Sequence, residues 1–99
     1  MLGSRSNKLQ APPQVAGHQS ALELARIWLV GDDLYVTLRP GVWEDPAAWG
    51  LLLVDLAKHA ANTYDQSKGR DIRQTLNRIK DGFDAEWKHA TDRPTGDLR

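Results

Sequence analysis

The segment from Trp43 to Tyr64 carries the densest apolar content of the chain, and its spacing admits one secondary structure, a helix. Asp45 followed by Pro46 reads as its start. The Asp carboxylate accepts from the free N–H groups of a first turn, and a proline at the first helical position sacrifices no hydrogen bond. Glu44 and Asp45 add negative charge at the positive end of the helix dipole. On a helical projection Trp49, Leu52, Leu53, Leu56, Ala57, Ala60 and Tyr64 share one broad arc, with Lys58, Asn62 and Asp65 opposite. That arc is expected to face a core. Leu51 and Val54 lie outside it, so one covering layer cannot hide the apolar surface and a second contact surface is implied. Gly50 inside the helix costs about 1 kcal/mol relative to alanine, and the expected compensation is a second backbone approaching closely.

Upstream, the periodicity changes. Ala25, Ile27 and Leu29 alternate with Arg26, Trp28 and Val30, and Leu34 to Arg39 alternates again, which predicts two strands. Gly31-Asp32 between them suits a two-residue hairpin turn with glycine supplying the positive φ. Closing the turn on Val30 and Asp33 sets Leu29 opposite Leu34, Ile27 opposite Val36 and Ala25 opposite Leu38, with Trp28–Tyr35 and Arg26–Thr37 on the other face. A slip of one residue would destroy that segregation, so this register is predicted. The apolar face is expected to pack on the Trp43–Tyr64 helix. Leu22 and Leu24 are open between an extension of the first strand, the preferred reading, and a helical turn, and Pro40-Gly41 ends the second strand.

Downstream, Asp65 to Gly69 is expected to break the helix, with Gly69 the reversal point and Asp71 a cap for a second helix. Ile72, Leu76, Ile79, Phe83 and Trp87, continued by Ala90, form a narrow stripe at helical spacing. The short loop implies an antiparallel helical hairpin. Residues 1–20, rich in Gly, Ser, Pro and Gln, read as a disordered arm, and 91–99 as a flexible tail, which leaves 21–90 as a single domain. A domain that small buries only about 60–65% of its unfolded surface and is marginal alone.

Composition narrows the function classes. With no cysteine in the chain, neither a disulfide nor a thiolate metal site can staple the fold, and a cytoplasmic setting is expected. The longest apolar run, Trp49 to Val54, falls far short of the roughly 20 residues of a membrane span, so no membrane partner is expected. Thirteen basic and thirteen acidic side chains cancel, leaving no overall field to attract nucleic acid.

Ala25-Arg26-Ile27-Trp28, Leu38-Arg39-Pro40, Trp43-Glu44-Asp45-Pro46-Ala47-Ala48-Trp49-Gly50, Val54-Asp55-Leu56-Ala57-Lys58-His59 and Gly82-Phe83-Asp84-Ala85-Glu86-Trp87 together resemble a small bacterial domain family of unknown function, of about the length of this chain. The resemblance spans roughly Ala21 to Trp87, with Asp-Pro-Ala-Ala-Trp-Gly and Phe-Asp-Ala-Glu-Trp as its most specific parts. It supports the domain boundaries and implies no catalytic residue, ligand or cofactor.

Several constellations invite a chemical reading. Asp55 and His59, four apart on one helix flank, could orient an imidazole beside a small-molecule pocket, although a simple helix-supporting pair is the preferred reading. His18, His59 and His89 are not spaced as metal ligands, so no metal site is expected. Paired carboxylates such as Asp84 and Glu86, or Asp32 and Asp33, read as solvated charge. Arg70, Arg73, Arg78 and Lys80 form the best nucleic-acid candidate, diluted by Asp71, Asp81 and Asp84. Trp28 and Tyr35, flanked by Arg26 and Arg39, have the composition of an interface centre, and Leu51 and Val54 join them as candidate interface residues. The expected fold is α+β in the order β-β-α-α, completed by a homodimer. The expected function is a non-enzymatic protein-interaction or regulatory module with no cofactor. A small-molecule-binding or enzymatic domain is the alternative, and nucleic-acid binding through the second helix ranks third.

Overall fold

The structure, a computed structural model, describes residues 7–89, so the tail at 91–99 and the stripe position Ala90 lie outside the described residues. Its four elements are, in chain order, β1 (Ala25–Val30), β2 (Asp33–Leu38), α1 (Ala47–Lys68) and α2 (Ile72–Trp87). The architecture is the expected β-β-α-α of an α+β fold.

The strands pair antiparallel in the predicted register, Ala25 with Leu38 through to Val30 with Asp33. Gly31 turns the chain at φ +62°, a conformation with little cost only for glycine. Strand β1 begins at Ala25, so Leu22 and Leu24 do not extend it, although Arg39 N–H still donates to Leu24 O at 2.9 Å. Before β1, residues 7–24 form turns and no helix or strand.

Helix α1 starts one residue after Pro46, so Pro46 takes the N-cap position expected of Asp45 and no side chain caps the helix there, although Asp45 Oδ1 accepts from Ala47 N–H at 3.0 Å. It runs through Asp65–Lys68 instead of breaking there. Nothing between Asp65 and Lys68 is incompatible with helical backbone, and the stop comes from Gly69, left-handed at φ 64°, whose N–H bonds to Asp65 O at 2.8 Å. The connection to α2 therefore shortens to Gly69, Arg70 and Asp71. Asp71 Oδ1 accepts from Arg73 N–H at 3.3 Å and caps α2. Asp71→Ala should lower stability by about 1 kcal/mol, the usual loss at such a cap, measured by urea titration of the circular dichroism signal.

The packing departs most from expectation. The only element pairs in contact are β1 with β2 and α1 with α2, and no residue of either strand lies within 8 Å, Cα to Cα, of either helix. The apolar sheet face does not cover α1. Among the described residues, Ala61 is the sole buried hydrophobic side chain, with Thr75 of α2 the one buried polar residue. These small residues mark the close approach of the two helices, while Leu53, Leu56 and Phe83 remain exposed. Among the described residues nothing lies within 4 Å of a Cβ added at Gly50, so the close backbone approach expected there is not made and the helical cost is uncompensated by them. The chain exposes 9373 Å², against roughly 5,700 Å² for a folded monomer of its mass. Its radius of gyration is 15.9 Å, against about 13 Å for a compact domain of this length. No helix among the described residues is long and apolar enough to cross a membrane.

Candidate functional site

Two apolar surfaces stand open. The first is one face of the hairpin, on which strand alternation and the observed register gather Ala25, Ile27 and Leu29 of β1 with Leu34, Val36 and Leu38 of β2. Ile27 is 60% and Leu29 70% exposed, and Leu34 and Leu38 are exposed as well. The second is a groove of about 640 Å³ between α1 and α2, walled by Gly50, Leu53, Val54, Ala57, Leu76, Ile79 and Phe83, with Lys58, Asn77, Lys80 and Asp84 as its polar lining. Lys80 Nζ donates to Asp84 Oδ2 at 2.7 Å. That carboxylate raises the Lys80 pKa above its ordinary value.

The residues singled out from sequence are distributed across both hairpins. Trp28 is half-buried and Tyr35 exposed, side by side in the pairing on the polar sheet face. The arm residues Asn7, Lys8 and Leu9 share a shallow cleft with Ala25–Trp28. Arg26 and Arg39 converge on Glu23, Arg26 Nε at 3.0 Å from its carboxylate and Arg39 Nε at 2.7 Å from its carbonyl. Both guanidinium groups thus tie the segment before β1 to the hairpin. Leu51 is 74% and Val54 55% exposed, and Val54 alone of the two lines the groove.

Asp55 and His59 pair, with Nε2 at 3.4 Å from Oδ2, on an open stretch of α1. Neither lines the groove, and the hairpin–helix pocket in which they would act is not formed because hairpin and helices do not meet. The basic residues of α2 are partly neutralised, Arg78 by Asp81 at 3.5 Å and Lys80 by Asp84. Arg70 lies over the Tyr64 ring at 5.6 Å. Among the described residues no group of three or more His, Cys, Asp or Glu could hold a metal ion.

The groove itself is not legible in the sequence. Leu53, Ala57, Leu76, Ile79 and Phe83 carry the signature of buried helix faces, and sequence spacing cannot distinguish a face buried within the chain from one left open.

The family model for a domain of unknown function, DUF5076, matches residues 8–91. The chain belongs to this family. A solved structure shares its fold: that of a protein from the photosynthetic bacterium Rhodopseudomonas palustrus CGA009, described as a putative pyruvate dehydrogenase. It is 33% identical over 97% of this chain and 97% of its own, with a TM-score of 0.72. None of the curated proteins matches the chain. The family adds no residue role to the geometry above.

Proposed function

We propose that this DUF5076 domain is a non-enzymatic protein-interaction module that acts as a self-associated unit, with residues 21–90 forming the unit and 1–20 an arm beside it. One observation carries this reading: a chain whose sole buried hydrophobic side chain, among the described residues, is Ala61 leaves two apolar faces open. Relative to a compact monomer the exposed area is in excess by roughly 3,700 Å², whereas an obligate dimer removes about 1,000–2,500 Å² per partner. The open hairpin face and the groove contribute to that excess. An isolated two-stranded sheet is also marginal in water, which favours a partner for the hairpin.

The name carried by the R. palustrus protein stays with that protein, since among the described residues no constellation supplies dehydrogenase chemistry. A cytoplasmic setting belongs to the same reading, because a chain without cysteine draws nothing from an oxidising compartment. Sedimentation velocity across a hundredfold concentration range tests the proposal. A dimer is expected at micromolar concentration, with thermal stability that rises with protein concentration. A strictly monomeric species at the highest concentration, melting at a constant temperature, would refute it.

A further inference from the structure

We infer that the dimer is held by reciprocal docking: the apolar sheet face of one copy sits on the α1–α2 groove of the other, and the second sheet on the first groove. This deepens the self-association proposed above and rests on it. The two surfaces are the large apolar faces of the molecule, and no strand residue comes within 8 Å of either helix, so neither covers the other within one chain.

Their dimensions match. A six-residue strand pair spans roughly 20 Å, and the helix segment from Gly50 to Ala60 that walls the groove spans about 15 Å. Sheet on helix pair is also a stable layer arrangement for an α+β domain, here split between two chains. The open space in front of Gly50, at the end of the groove, leaves room for a partner's backbone to come close, which supplies the contact missing within the chain. A two-fold axis repeats the contact, giving a closed pair with no face left over.

Complementation distinguishes this arrangement from pairing of like faces. Leu29→Asp disables the sheet face and Val54→Asp the groove, and each alone should weaken dimerisation about 100-fold or more. In an equimolar mixture, the groove of the first variant and the sheet of the second are both intact, so the mixture should sediment as a heterodimer at concentrations where each variant alone is monomeric. If only one substitution dissociates the chain, or if the mixture stays monomeric, reciprocal docking is overturned while self-association stands. If the unsubstituted chain is itself monomeric, both fall.

Should either variant fail to fold, cross-linking decides. The chain has no native cysteine, so Leu29→Cys and Val54→Cys, each with a distinguishable tag, can be mixed and joined with a short bismaleimide. Cross-links between the two tags, sheet to groove, are expected. Cross-links only between like tags, or no cross-link between the two tags, would overturn the proposal.

Discussion

Ile27→Asp is expected to abolish the proposed dimer and to sediment as a monomer at micromolar concentration. Ile27 lies at the centre of the apolar sheet face and is 60% exposed in the single chain, so a carboxylate there keeps much of its hydration in the monomer. On that ground alone the substitution belongs with surface changes, whose effects usually stay within about 0.5 kcal/mol. In the proposed dimer the same carboxylate is pressed into a groove walled mainly by aliphatic and aromatic side chains and loses most of its hydration. At about 3 kcal/mol per uncompensated buried charge, and two such sites per symmetric pair, association weakens by about 6 kcal/mol, or roughly four orders of magnitude in dissociation constant. Sedimentation equilibrium measures the shift. An unchanged dissociation constant would show that the sheet face is not part of any interface.

The second large effect concerns the one buried hydrophobic side chain among the described residues. Ala61 is 0% exposed and faces the close approach of α1 and α2, where Thr75 is the buried residue on the other helix. Ala61→Leu adds three heavy atoms at a fully buried position, and overpacking of this kind costs about 1–3 kcal/mol. For a small domain that is a large fraction of the total. The helices must separate or the side chain must leave its preferred rotamer, so the melting temperature should fall and the helical dichroism at room temperature should decrease. Ala47, exposed on the first turn of the same helix, is the control: Ala47→Leu should leave both readouts nearly unchanged. Equal losses at the two positions would mean that Ala61 is not the site of helix contact.

Local structure was legible from residue types. The hairpin register followed from the two parities of Ala25–Val30 and Leu34–Arg39 and from Gly31, because a slip would exchange the two faces of the sheet. Asp45, Gly69 and Asp71 announced the helix ends through chemistry that acts within a few residues. The end of α1 was misplaced by four residues because polar residues such as Asp65 and Gln66 tolerate a helix as well as a turn, and only Gly69 imposes a stop. Of the candidate sites, the Asp55–His59 pair formed as its i,i+4 spacing implied, but without a pocket, since a pocket depends on what another element does.

What the amino-acid sequence determined by itself was therefore everything that depends on short range: two strands and their register, two helices and the Asp71 cap of the second, the apolar stripes, and a domain too small to bury them well. The tertiary structure alone decided that the apolar sheet face and the helix stripes do not meet. Ile27 and Leu29 on the sheet, and Leu53 and Phe83 on the helices, read as core from their periodicity, yet all four are exposed in the single chain. The physical reason is that periodicity specifies which side of an element is apolar and carries no information about which surface, in the same chain or another, will cover it.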